Sequence, residues 1–103
     1  MSKPRVVKDY NKIDESVIQQ IKLRYPEGFE NNLVQFVNKE GKTVSALPFE
    51  MEDVYYLIRM TVLEAQEIIE DDDDYDDDGL LIDSIREEYE ENLEEDEDED
   101  DLN

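Results

Sequence analysis

Val54-Tyr55-Tyr56-Leu57-Ile58-Arg59-Met60-Thr61-Val62-Leu63-Glu64-Ala65-Gln66-Glu67-Ile68-Ile69 can be one long helix or a strand that hands over to a helix. Thr61 decides between them. Thr61-Val62-Leu63-Glu64 fits a capping box, with a hydroxyl at the N-cap and a carboxylate three residues on. The residues before it are rich in β-formers. Those after it are helix-formers, Glu, Ala, Gln and Leu. The sequence therefore predicts a strand over 54–60 and a helix over 62–70. In that strand Val54, Tyr56, Ile58 and Met60 share one face, and Tyr55, Leu57 and Arg59 the other.

Upstream, Leu33-Val34-Gln35-Phe36-Val37 and Thr43-Val44-Ser45-Ala46-Leu47 read as two strands, the second closed by Pro48. Asn38 to Lys42 is the turn between them, with Gly41 free to take positive φ. Before the hairpin, Ile13, Val17, Ile18, Ile21 and Tyr25 recur at helical spacing behind Asp14, a candidate N-cap, and Pro26 and Gly28 end that helix. Residues 1–12 carry Lys3, Arg5, Lys8 and Lys12 against Asp9 alone, and Pro4 disfavours helix, so this segment is expected to be a basic extended arm. The sum is an α+β domain over 13–70, in the order α-β-β-β-α, built on a three-stranded antiparallel meander.

Downstream the composition changes. Residues 70–103 hold 21 acids and one base, Arg86, a net of −20; residues 1–69 hold 11 acids and 9 bases, a net of −2; together they give −22. An acidic loop is expected over 71–79. A narrow stripe of Leu81, Ile85, Tyr89 and Leu93 predicts an amphipathic acidic helix over 80–93. Its like charges at four-residue spacing weaken it, so it needs a surface to lie on. Residues 94–103 are expected to be disordered.

Composition removes whole classes of chemistry. With no Cys and no His, Ser–His–Asp and Cys–His catalysis and zinc sites of the usual ligands are closed. Gly28, Gly41 and Gly79 never cluster into a phosphate-cradling loop. Paired-carboxylate catalysis needs two acids in unlike, enclosed environments, which a solvated run does not offer. The chain is therefore expected not to be an enzyme. No apolar run approaches the ~18 residues of a membrane span. No apolar stretch follows the basic start, so a signal peptide is not expected either, and the cytoplasm is the expected compartment.

One cation site can be posed. Asp74-Tyr75-Asp76-Asp77-Asp78-Gly79 matches the opening of an EF-hand loop. Asp74, Asp76 and Asp78 would supply the first, third and fifth ligands and Leu80 its carbonyl, for Ca²⁺ or, weakly, Mg²⁺. Ile85 stands where the closing bidentate Glu belongs. No other cofactor is expected.

The stronger expectation is a non-enzymatic accessory protein. Its polyanion would occupy a basic protein surface built for nucleic acid, on replication proteins or RNA polymerase, while repelling nucleic acid and anionic membrane. Tyr55 and Arg59, with Leu81, Ile85, Tyr89 and Leu93, are the candidate docking residues, and a monomer is expected.

The strings Ser2-Lys3-Pro4-Arg5-Val6-Val7-Lys8-Asp9-Tyr10, Val44-Ser45-Ala46-Leu47-Pro48-Phe49-Glu50 and Tyr55-Tyr56-Leu57-Ile58-Arg59-Met60-Thr61 resemble a family of short acidic bacterial proteins with no established activity. Some members carry an automatic DNA primase label. That resemblance implies a replication or transcription setting rather than primase chemistry, whose zinc-binding residues are absent. The layout of a small body and an acidic C-terminal tail is also similar to the delta subunit of some bacterial RNA polymerases.

Overall fold

The computed structural model describes residues 3–102, with side chains through residue 93, so the side chains of the tail expected to be disordered over 94–103 lie outside the described residues. The elements are β1 (Arg5–Asp9), α1 (Glu15–Arg24), β2 (Val34–Val37), β3 (Thr43–Glu50), β4 (Tyr55–Arg59), α2 (Val62–Asp71) and α3 (Asp83–Leu102), with 3-10 turns at Tyr10–Lys12 and Glu30–Asn32. The protein is a small α+β domain.

The handover at Thr61 is as the sequence requires. Glu64 N–H donates to the Thr61 hydroxyl at 3.0 Å, and Thr61 N–H donates to the Glu64 carboxylate at 2.8 Å. The first four N–H groups of α2 have no acceptor within the helix, and the box satisfies two of them while fixing where the strand ends. The hairpin turn is also local: the Asn38 side-chain oxygen accepts from Glu40 and Lys42 N–H, and Gly41 sits at φ +81°. Asp14 stands at the N-cap of α1, but its side chain makes no capping bond.

Two expectations need correcting. The sheet is not a three-stranded antiparallel meander; it has four strands in the order β1-β4-β3-β2 and is mixed. The supposed basic arm is its fourth strand, pairing in parallel with β4 from Arg5↔Tyr55 to Asp9↔Arg59. Pro4 starts that strand extended, and Val6 and Val7 give it apolar weight. Two of its charges are held at the sheet, Lys3 by Glu50 at 2.7 Å and Asp9 by Arg59 at 2.9 Å. Secondly, Pro48 does not close β3, which continues to Glu50. Met60 N–H donates to Ser45 O, so odd-numbered residues of β3 face β4. Pro48 faces the other way, beyond the end of β2, where no ladder bond is missed. Its carbonyl accepts the Tyr25 hydroxyl instead.

The core lies on one face of the sheet. Leu47, Phe49, Ile58 and Met60 meet Val17 and Ile21 of α1, Ala65 of α2, and Phe29. Phe29, Ile21, Leu47 and Ile58 are fully buried. Helix α3 lies outside this layer, against α1.

Candidate interaction surface

The acidic segment is anchored before it is exposed. After α2, the chain turns at Asp72, and Tyr75 drops into the core, 6% exposed, its ring edge-on to Phe29. The Tyr75 hydroxyl donates to Tyr25 O at 2.9 Å. Tyr75 also bridges to Leu81, whose N–H donates to Pro26 O at 2.8 Å. Leu80 and Leu81 are therefore extended, and the helix expected from residue 80 starts at Asp83.

Lys22 is the hinge of this arrangement, and nothing in the sequence reading singled it out. Its ammonium lies 2.6 Å from an Asp72 oxygen and 2.9 Å from Asp74. Asp74 also accepts the Tyr89 hydroxyl from α3. One buried lysine of α1 thus ties the loop and α3 to the domain. The signal was present: Lys22 lies four residues after Ile18, inside the apolar stripe of α1, where a base needs an acid to be tolerated.

The cluster shifts its members as its geometry requires. Burial alone would pull Lys22 down, but the hydrogen bonds to Asp72 and Asp74 outweigh it and hold the ammonium above the ordinary lysine range. Burial would push Asp74 up, but the bonds from Lys22 and Tyr89 win and hold it below the usual carboxylate range. Tyr89 is pushed up to about 12 by burial and by its bond to Asp74. Tyr10 reaches about 12 through burial, with Lys22 pulling the other way. Tyr75 is raised as well, by burial first.

Signs follow by linkage. Asp74 is depressed, so its stabilisation is present above the ordinary aspartate range and lost on acidification. Lys22 and the three tyrosines are raised, so theirs is present below about pH 10 and lost as pH climbs towards about 12. Against the acid term stands the repulsion among exposed carboxylates, which protonation relieves. Melting followed by circular dichroism should show a slight rise from neutral pH down to about pH 5, a fall below about pH 4, and a steep cooperative loss between about pH 10 and 12. A steady decline between neutrality and pH 10 would contradict the assignment.

The residues of the candidate cation site are engaged elsewhere in this structure. Asp74 is committed to Lys22 and Tyr89. One Asp76 oxygen accepts Asp78 N–H at 2.9 Å and Leu80 N–H at 3.0 Å. Asp78 is exposed, and the Leu80 carbonyl already accepts Asp76 N–H. Among the described residues no three acidic side chains converge on a point where an ion could sit. The lysine stands where the alternating pattern suggested a metal, and the loop closes on its own hydrogen bonds.

The docking residues are split between two places. Leu81 is 4% exposed, and Ile85, Tyr89 and Leu93 are half-buried; α3 packs against α1, where Asn92 reaches Gln19 at 3.3 Å. The stripe therefore lies against its own domain, one of the surfaces such a helix needs. Tyr55 and Arg59 lie on the sheet face away from the core; Tyr55 shares an open cleft with Leu93, and Arg59 is exposed but paired with Asp9.

The acidic surface open to a partner is the outer side of the helical layer. Of the 13 carboxylates between Glu70 and Glu91, all but Asp72 and Asp74 are exposed. An open cleft of about 580 Å³ between the Glu27–Glu30 segment and the acidic loop carries Glu27, Glu30, Glu70, Asp76, Asp77 and Asp78 and no base. Among the described residues no helix is long and apolar enough to cross a membrane. No protein-family model, curated protein or solved structure matches the chain.

Proposed function

We propose that this protein is a non-enzymatic accessory factor whose acidic helical layer occupies basic, nucleic-acid-binding surfaces of the replication or transcription machinery. The supporting observation is the charge spacing on α3. Between Asp83 and Glu91 five carboxylates and Arg86 leave 1 − 5 = −4. At ~1.5 Å per residue those nine positions span about 13.5 Å, or one net charge per about 3.4 Å, the spacing along one DNA strand. A groove lined with Lys and Arg would exchange its counterions for this helix much as it does for a nucleic-acid backbone. Because Tyr75, Leu81 and Lys22 fix the layer to the domain, little of the helix would have to be ordered on binding.

The test is competition with duplex DNA for a basic DNA-binding domain, followed by fluorescence anisotropy. Displacement should be strong at low salt, and affinity should fall about a thousandfold between about 50 and 200 mM salt. Removing residues 94–103, with eight of the acids, should weaken displacement and leave the melting temperature unchanged. Salt-independent binding, or none at low salt, would refute the proposal.

A further inference from the structure

All helices that bury residues in the core do so against Leu47, Phe49, Ile58 and Met60, on one face of the sheet. The opposite face has no helix over it among the described residues, and the molecule is only 19 Å deep in its thinnest direction, as two layers require. Cross-strand partners share a face, so the register identifies what that face presents. Val7↔Leu57↔Pro48 form one row across three strands, and Arg59↔Ala46↔Val34 the next. The middle of the face is apolar. Leu57 and Ala46 lie shielded between neighbours, while Val7 and Val34 flank them at 43% and 40% exposure. The hairpin contributes to the same side: Val34, Phe36 and Val44 point there, whereas Gln35 and Ser45 point to the helical side. In a solvated sheet face the polarity would run the other way.

Charge identifies the occupant. The face carries Arg5 and Arg59 against Asp9 and Glu50, a net of zero, on a chain of −22. Arg59 is satisfied by Asp9, and Glu50 by Lys3. A basic partner is drawn to the helical layer and gains nothing electrostatic here. Two copies of the chain, by contrast, can approach only through this face. Stacked sheets sit about 10 Å apart, with a helical layer about 10 Å beyond each. The two acidic layers then lie on opposite outer sides, about 30 Å apart, well past the ~8 Å screening length of physiological salt.

We propose that the uncovered sheet face joins two copies of this chain, sheet to sheet, with both acidic layers outward. Four strands about 4.8 Å apart and about five residues long give a footprint of about 19 by 17 Å. With surface relief that buries about 1,000 Å² in total, the lower limit for a specific interface, so the dimer is weak and reversible. The proposal is independent of what the acidic layer binds.

Sedimentation equilibrium of the full chain tests it. A monomer–dimer equilibrium should appear in the micromolar to millimolar range and tighten as salt rises, since salt screens the residual repulsion and leaves apolar contact intact. The Val7→Lys, Val34→Lys variant should weaken the dimer at least about tenfold. It does so even though the two lysines bring the net charge from −22 to −22 + 2 = −20, so a general charge effect predicts the reverse. Val62→Lys, Leu63→Lys adds the same charge to exposed positions of α2 and should leave the dimer intact. Should the sheet variant fold poorly, methyl shifts of Val7, Val34 and Leu57 in the wild type must move on dilution while those of Val62 stay fixed. A chain that stays monomeric at high salt overturns the proposal. So does a dimer broken equally by the α2 variant, or sheet-face methyl shifts that respond only to an added basic peptide.

Discussion

Phe29→Ala should lower the melting temperature by about 20 °C. Phe29 is fully buried where three parts of the chain meet. Its ring centroid lies 5.8 Å from Tyr10 beyond β1, 6.2 Å from Tyr25 at the end of α1, and 6.2 Å from Tyr75 in the acidic loop. Truncating a buried Phe to Ala costs about 3–5 kcal/mol, and each lost aromatic pair adds about 0.5–1.5 kcal/mol. A domain of this size has about 5–13 kcal/mol in all, so the variant forfeits a large part of it. The damage should also be directional. Tyr75 holds the acidic loop through its contact with Phe29 and its bond to Tyr25 O, so amide exchange in the loop should accelerate before exchange in β3 and β4. Val37→Ala, at a position 66% exposed, is the control and should cost at most about 0.5 kcal/mol. A Phe29→Ala protein melting within a few degrees of wild type would mean that this aromatic junction is not what closes the core.

The parts of the fold that sequence reveals are those with local causes. The capping box at Thr61 involves two residues three apart, and it separates β4 from α2 without reference to anything distant. The hairpin turn is likewise closed by Asn38 on Glu40 and Lys42, and the alternation in β4 correctly sends Ile58 and Met60 inwards. Strand β1 leaves no such mark. It pairs in parallel with residues fifty positions away, and a short edge strand with Arg5, Lys8 and Asp9 around two valines looks locally like a solvated arm. The same distance hides Lys22, whose partners are also fifty residues on. The stripe of α3 was legible as a stripe, but amphipathicity says only that a surface exists, not whose. The alternating aspartates show the opposite failure. A motif built from composition matched a metal loop because the loop is rich in Asp, while their carboxylates had nearer donors in Lys22, Tyr89 and backbone N–H groups.

Lys22→Met separates the structural role of the charges from their role towards a partner. Methionine keeps the length of the side chain and its contact with the α1 stripe, so the change removes the ammonium and little else. Asp72 and Asp74, with side chains 17% and 19% exposed, then face each other without a cation. Breaking a fully buried pair costs about 3–5 kcal/mol; partial exposure of the acids reduces that to about 2–3 kcal/mol, or a fall of about 12 °C. Adding Asp72→Asn and Asp74→Asn to Lys22→Met should recover most of the loss, because removing all the charges of a buried cluster is far milder than removing one side. The single variant should also regain stability in salt, which the wild type does not need at this site. Its net charge is −22 − 1 = −23, and below its melting temperature it should bind a basic groove at least as tightly as wild type. Were binding instead to fall with the stability, the fixed geometry of the acidic layer, rather than its charge, would be what the partner reads. The triple variant decides between the two, since it restores the fold while removing only two mostly shielded carboxylates.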